Sequence, residues 1–555
     1  MTCLPVECIR EILEYLYDDT ISLHSCLLVN RSWCEITIPI LWRNPFGRDL
    51  TAKRYILLIN TYMSRLSMEE RGSIDSTIEK STFDYSTFLR VFDCEKILLA
   101  FRCWAIPFSS FSLFKPLIQH FIYNSPKFDR VDFKKNMLFN DNIFLFPGAR
   151  QSFAKLRSCN FFGEYTKGLI DSCAGMANDI RYITFRCLEP QHSNGDDLVT
   201  SDSSMDGLAH LIRSQKHLKK IILSDGRLNT IFKNEVFDSL TTQSNTLTVI
   251  KFLSINFHER FPLDQLLTCK NLKVLKIVNC RNYGNEVIIT GKTHQFRQLK
   301  AITFSSSRLP FELYRKLISL AGDSLQTVIL MGKVFMDTPP LPNPFTNNNN
   351  TSARFNSIST SSSSFILEPF VEFCPNIKQI LACVNESQLA YLPSLLRSCR
   401  NLKRLSLYDS KYQSRSFHTS VKDMQSINVE DLLARVGQSI PSSLIKFNIN
   451  MNWNFSAEVF GLFLQNINKT LSSTVPLSDG TRKGMMVTRS IQLQRLSLQF
   501  CTCITDEHLE MFYKYPVKSL NTLKIRGAEG VSEDGFRKFA DFFGDCVSVP
   551  QKFRK

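Results

Sequence analysis

The sequence predicts an α/β fold: an N-terminal module of three helices, then a solenoid of repeats with parallel strands on its concave face and helices on its convex face. Three observations predict it. The first 46 residues carry apolar side chains at helical spacing. The rest of the chain returns thirteen times to one short pattern: an apolar residue, two others, an apolar residue, one other, a third apolar residue. Helical stretches lie between the copies, and a repeat array has no compact-domain size limit, so 555 residues can form one.

Leu4-Pro5 opens the first helix, because a proline in the first turn loses only an N–H that has no intrahelical partner. Val6, Ile9, Ile12, Leu13 and Leu16 then form one apolar stripe, which Asp18-Asp19-Thr20 interrupts. A second segment from about Ser22 carries Leu23, Cys26, Leu27 and Leu28. Asn30 is placed to cap a third helix with Trp33, Ile36 and Ile40 on its apolar side. Three short helices bury little surface alone, so their apolar faces require a partner.

Read residue by residue, Leu4-Pro5-x-Glu7-x-x-x-x-Ile12-Leu13, then Ser25-Cys26-Leu27-Leu28-Val29-Asn30-Arg31-x-Trp33 and Leu41-Trp42, resembles the F-box. The resemblance implies a contact with the Skp adaptor of an SCF ubiquitin ligase, and through it with the cullin. It implies that Leu4, Pro5, Glu7, Ile9, Ile12, Leu13, Leu16, Leu27, Val29 and Trp33 form or support that contact.

Residues 47–123 read as a helical connector, with Tyr55 to Ile59 and Ile97 to Ala100 as buried helices and Arg65 to Ser81 as a polar stretch. The repeats follow over 124–549. The clearest copies are Leu272-Lys-Val-Leu275-Lys-Ile277, Leu402-Lys-Arg-Leu405-Ser-Leu407, Leu493-Gln-Arg-Leu496-Ser-Leu498 and Leu520-Asn-Thr-Leu523-Lys-Ile525. The others start at Phe128, Leu156, Ile180, Leu218, Leu247, Leu299, Leu325, Ile377 and Leu444. Seven of the twelve spacings between starts fall between 24 and 28 residues, the period of leucine-rich repeats. Cys280 and Cys501 sit at one recurring offset, and Cys269, Cys374 and Cys399 each precede x-Asn-[Leu/Ile]. This resembles the cysteine-containing leucine-rich repeats that accompany many F-boxes.

Helices are expected at Leu208–Ile212, Leu313–Leu320, Leu392–Leu396, Glu430–Val436 and Glu507–Phe512. Residues 337–365 hold Pro339-Pro340-Leu341-Pro342 with Asn and Ser runs, and read as a disordered insertion. Residues 189–206, 409–428 and 473–490 read as shorter loops, and 550–555 as a basic tail.

The formal charge is +16. Residues 1–46 hold three basic side chains (Arg10, Arg31, Arg43) and six acidic ones (Glu7, Glu11, Glu14, Asp18, Asp19, Glu35), so the excess lies in the remainder. The pattern's second, third and fifth positions, expected to face outward from the concave strands, carry fifteen Lys or Arg: Arg130, Arg157, Arg181, Lys219, Lys220, Lys251, Lys273, Lys276, Lys300, Lys378, Lys403, Arg404, Lys446, Arg495 and Lys524. Such a face suits an acidic or phosphorylated protein target, while lysine after Asn-Leu also serves simply as a soluble filler. A nucleic-acid-binding arc is the rival reading, weakened by the scarcity of aromatics for base stacking, of which Tyr182 is one. An F-box scaffold without a ligase role is another.

Catalytic motifs are not found: no phosphate-binding glycine loop, no G-x-S-x-G and no H-E-x-x-H, and the nine histidines are dispersed. The 17 scattered cysteines suit reduced thiols in the cytoplasm or nucleus, and Cys501-Thr-Cys503 lacks the second pair of a structural zinc site. No cofactor or metal is expected. The charged residues Glu7, Arg10, Glu11 and Glu14 argue against a signal peptide, and no apolar run reaches membrane-spanning length. The expected function is therefore a non-catalytic substrate-recognition subunit of an SCF-type ubiquitin ligase.

Overall fold

The computed structural model describes residues 4–48, 50–67, 81–108, 111–134, 142–163, 167–187, 198–226, 232–258, 260–284, 295–307, 309–332, 366–409, 428–468, 471–475, 485–489, 491–528, 530–543 and 547–548. The insertion at 337–365 and the tail at 550–555 lie outside the described residues, as does most of the polar stretch after Arg65. The chain divides into two compact units, Met1–Phe257 with Pro262–Asn271, and His258–Phe261 with Leu272–Lys555. The fold class is the α/β class that the sequence predicts: three N-terminal helices followed by parallel strands that alternate with helices.

The first unit opens with α1 (Val6–Tyr15), α2 (Thr20–Leu27) and α3 (Arg31–Leu41). Asp19 ends the first apolar stripe and also starts the next helix: its side chain accepts from the Ser22 backbone N–H at 3.1 Å. Asn30 does the same for α3, accepting from Trp33 N–H at 2.9 Å. Ile9, Leu13, Leu23, Ile36 and Ile40 meet in one buried cluster, and Leu16, Tyr17, Cys26, Trp33 and Leu41 pack around it.

A fourth helix, α4 (Ala52–Met63), and the helix Cys94–Phe108 provide the buried connector helices. Tyr62 of α4 packs edge-on against Trp42 and Phe121 and lies parallel to Phe46. The Trp104 indole N–H donates to Asn60 at 2.6 Å. Arg43, just past α3, is held by a two-pronged bond to Glu14, with one N–O distance of 2.8 Å. Its backbone carbonyl accepts from Arg90 N–H at 2.9 Å, which ties the helical module to the first strand.

Six parallel strands follow in this unit: β1 (Val91–Asp93), β2 (Arg130–Lys134), β3 (Ser158–Phe162), β4 (Tyr182–Cys187), β5 (Lys220–Asp225) and β6 (Val249–Leu253), each paired with the one before. The second unit contains β7 (Val274–Val278), β8 (Ala301–Ser305), β9 (Thr327–Met331), β10 (Gln379–Val384), β11 (Arg404–Asp409) and β12 (Lys446–Asn450). An antiparallel hairpin of β13 (Leu471–Val475) and β14 (Met485–Arg489) follows. The parallel array then resumes with β15 (Arg495–Gln499), β16 (Thr522–Arg526) and β17 (Val547–Ser548).

All thirteen predicted copies form strands, because alternation puts the second and third apolar residues of each on the same inward face. Leu275 and Ile277, Leu405 and Leu407, and Leu496 and Leu498 are all buried. Each expected helix lies inside an observed one: Leu198–Ser214, Phe311–Ala321, Leu392–Ser398, Val429–Ser439 and Asp506–Lys514.

Two expectations are corrected. Residues 198–206 are helical rather than loop, since the helix anchored by the buried Met205, Leu208, Leu211 and Ile212 extends upstream. Within 473–490, the stretches 473–475 and 485–489 belong to the β13–β14 hairpin, because each strand supplies the other's hydrogen-bond partners. A fourteenth copy of the pattern, Leu89-Arg-Val-Phe92-Asp-Cys94, forms β1, and Leu89, Phe92 and Cys94 are buried.

Strands exit through a recurrent turn in which the residue after the strand takes a positive φ. Asn279, Ser306, Gly332, Phe500 and Gly527 do so in the second unit. A side chain on Gly527 would place its Cβ 3.2 Å from the Phe500 Cα, so glycine meets both the dihedral and the close approach there. The described cysteines are free thiols. Burial pushes Cys374, Cys399 and Cys501 up to about 12 and Cys269 up to about 11, so these side chains are neutral core filling rather than nucleophiles.

Candidate interaction surfaces

The three-helix module divides the ten predicted adaptor-contact residues. Ile9 and Leu13 are core, Leu16 and Trp33 pack against that core, and Leu27 is half-buried. Leu4, Pro5, Glu7, Ile12 and Val29 are exposed, with Leu4 at 56%, Ile12 at 49% and Val29 at 58%. Val6, Tyr15, Ile21 and Leu28 are further exposed apolar side chains outside those ten.

Pro5, Cys8, Ile12 and Tyr15 follow helical spacing along α1, beside the inward stripe of Ile9, Leu13 and Leu16. Among the described residues fourteen large apolar side chains are exposed, and seven of them lie between Leu4 and Val29. That concentration in so short a stretch makes the helical module a candidate interaction surface.

The sheet faces form the second surface, and strand register sorts their residues. The pattern's second position falls one residue before each strand. Lys219, Lys273, Lys300, Lys378 and Lys403 therefore line the leading rim and are exposed there, while their backbone groups continue the ladder. Lys220, Lys251, Lys276, Arg404, Lys446, Arg495 and Lys524 occupy outward strand positions.

In the first unit part of the charge is neutralised internally. Arg130 grips Asp132 at 2.9 and 2.6 Å, Lys134 pairs with Glu95, and Arg181 lies 3.7 Å from Asp179. Asp132 also accepts from Asn160 at 2.5 Å. Its neighbour in register, Asp93, has a carboxyl raised above the ordinary range, mainly by burial.

In the second unit Arg404, Lys446 and Arg495 are in register on β11, β12 and β15, with Thr522 next on β16. Ser406, Asn448, Ser497 and Lys524 form the following column, and Tyr408, Asn450, Gln499 and Arg526 the third. Among the described residues none of these five cations has an ion-pair partner. A pocket of about 330 Å³ opens between β12, β15 and β16, lined in part by Lys446, Asn448, Arg495, Ser497, Gln499 and Lys524. Arg526 belongs to the seventh position, which the six-residue pattern does not reach.

Among the described residues, one serine–histidine contact is structural. Ser86 contacts His120 Nε2 at 3.2 Å and donates to Asp84, yet it is fully buried in a short helical turn that Asp84 caps. Among the described residues no group of three or more His, Cys, Asp or Glu could hold a metal ion. Among them no helix is long and apolar enough to cross a membrane.

Comparison with protein-family models matches residues 1–48 to the family described as F-box-like. None of the curated proteins compared matches the chain. The helical module with its exposed apolar surface is thus an F-box-like domain at the head of a strand–helix repeat chain.

Proposed function

We propose that this chain is the substrate-recognition subunit of an SCF-type ubiquitin ligase. The observation that carries the proposal is the F-box-like domain at residues 1–48, whose core closes on itself while Leu4, Ile12 and Val29 stay exposed. Those side chains, with Pro5 and Glu7, contact the Skp adaptor. Ile9, Leu13, Leu16, Leu27 and Trp33 hold the helices that present them. The repeats belong to the leucine-rich class and hold the target, and residues 47–123 join the helical module to them, with Tyr62 packed on Trp42 and the Arg90 N–H bonded to the Arg43 carbonyl.

The mechanism is positional, and the chain needs no catalytic group or cofactor of its own. The adaptor and cullin bring a ubiquitin-loaded enzyme near, the repeats hold the target, and transfer accelerates because the effective concentration of target lysines rises. Such a subunit works in the cytoplasm or nucleus.

The test is co-expression with the Skp adaptor. Wild type is expected to co-purify, and a Leu4→Ala, Ile12→Ala, Val29→Ala variant, which leaves the buried cluster intact, is expected not to. A folded wild-type chain that does not bind the adaptor refutes the proposal.

A further inference from the structure

We infer that the helical module of one chain docks, through the exposed face of α1, on a basic and apolar patch in the first unit of a second copy, and that the adaptor and the second copy compete for that face. The competition rests on the reading of the module as the adaptor-binding domain.

The patch lies where the helix Phe114–Asn124 meets the loop that leaves the short turn Ile143–Leu145. Tyr123 is 70% exposed and Leu145 73%, the two highest values among the exposed large apolar side chains described outside the helical module. Packing keeps them close. Gly148, three residues after Leu145, takes a φ of +82° and lies so near the helix end that a Cβ on it would stand 2.9 Å from the Tyr123 Cα. In the same loop Pro147 is exposed and Phe146 is half-buried, with the Lys115 ammonium 5.9 Å from the centre of the Phe146 ring.

The rim carries one sign of charge. Residues 111–128 and 142–157 hold Lys115, Lys127, Arg150, Lys155 and Arg157 and no Asp or Glu. Asp129 follows at the entry to β2, and Asp171 on the next helix is taken by His210 at 2.8 Å. The surface that fits such a patch has exposed apolar side chains flanked by carboxylates.

The chain supplies that surface itself. Its helical module holds three basic and six acidic side chains. On α1, Ile12 and Tyr15 stand outside the core stripe, Tyr15 at 86% exposure. Glu7 and Glu11, four residues apart and both exposed, flank that apolar row on the side away from the core.

The contact is between molecules. Glu14 fastens α1 to Arg43, whose carbonyl takes the Arg90 N–H just before β1, and with the module so held both surfaces stay exposed. Two chains that each offer α1 to the other's patch close a two-fold dimer with both faces covered. The adaptor needs Ile12 and Glu7 for its own contact, so each partner excludes the other. A chain that has not met the adaptor thus keeps its adaptor face covered.

The test is sedimentation of the full chain without and with the Skp adaptor. Wild type is expected to self-associate as concentration rises. Excess adaptor is expected to dissociate it into single chains, each with one adaptor bound. Tyr123→Asp with Leu145→Asp is expected to weaken self-association at least tenfold while keeping the melting temperature and adaptor co-purification of wild type. A charge swap separates this contact from general stickiness. Glu7→Lys with Glu11→Lys, and in a second protein Lys115→Glu with Arg150→Glu, are each expected to stay monomeric alone. Mixed, the two are expected to associate, because each then meets opposite charge in the other.

Four results overturn the inference: a wild-type chain that is monomeric at every concentration, association unchanged by the Tyr123 and Leu145 substitutions, a mixture that does not associate, or an associated chain that binds the adaptor without dissociating. Wild type that shows the docking pattern yet never binds the adaptor refutes the ligase proposal instead, and leaves the docking between copies standing.

Discussion

Ile12 and Leu13 are neighbours in α1 with opposite environments, Ile12 49% exposed and Leu13 fully buried. Truncating each to alanine separates folding from binding. Leu13→Ala removes about three buried carbons, a transfer loss of about 2.4 kcal/mol at about 0.8 kcal/mol each. The cavity left against Ile9, Leu23, Ile36 and Ile40 raises this to about 3–5 kcal/mol. For so small a cluster that is a large share of its stability. Ile12→Ala leaves no cavity, so its stability change should stay within about 0.5 kcal/mol, while its adaptor affinity falls by about 1–3 kcal/mol. Chemical denaturation of the full chain, followed by the fluorescence of Trp33 and Trp42, reads the first quantity. Calorimetric titration with the Skp adaptor reads the second. Equal destabilisation by the two variants, or a Leu13→Ala protein that unfolds like wild type, refutes the division of this helix into a packing stripe and a binding stripe.

Glu14 offers a pH test. Its hydrogen bond to the Arg43 guanidinium holds the carboxyl below its ordinary value. A depressed carboxylate contributes stability above its unfolded value and loses it as pH falls through its folded value. The melting advantage of wild type over Glu14→Gln should therefore shrink on acidification below the usual carboxylate range. Both side chains are about one-third exposed, so it should not exceed about 1 kcal/mol at neutral pH. Gln215, 4% exposed, accepts from Ile180 N–H at 2.9 Å and donates to the Ala177 and Leu211 carbonyls at 3.0 Å. Gln215→Leu strands those backbone groups and should cost about 2–4 kcal/mol in thermal unfolding. Gly527→Ala meets both a φ of +78° and the Phe500 backbone and should destabilise by about 1–3 kcal/mol. Gly168→Ala faces open space in a helix and should be neutral or stabilising by up to about 1 kcal/mol, with melting temperature reporting both glycine changes.

The repeats were legible because each strand needs the same two inward residues, and thirteen copies of that need leave a period. The copy at Leu89 escaped because a three-residue strand inside a helical stretch shows little periodicity of its own. The hairpin escaped because Ser473 and Thr474 read as the start of a loop, and its pairing is local to an insertion. Position two of the pattern reads as outward along with positions three and five, but it lies one residue before the strand and has the parity of the inward positions four and six, so it falls on the rim. That one-residue boundary separates the rim lysines from the face cations. The sequence counts Lys446, Arg495 and Lys524 among fifteen, but only register places them around one pocket. In the helical module, motif residues such as Ile9 and Ile12 look alike on paper, and burial alone tells support from contact.

The last strand, β17, is two residues long and pairs β16 only at Leu523 and Lys524. In a row of repeats each strand is steadied mainly by its neighbours, so loosening starts at a weakly covered end and moves inward. Here that end adjoins β16, the strand that brings Lys524 to the pocket. The helical module draws its steadiness from Ile9, Leu13 and their partners instead. Fraying or clipping at β17 would therefore disturb the face of β16 in the proposed receptor while leaving the adaptor surface proposed for the helical module intact. In a cell such a molecule would occupy ligase without delivering cargo and act as a competitor of the intact chain.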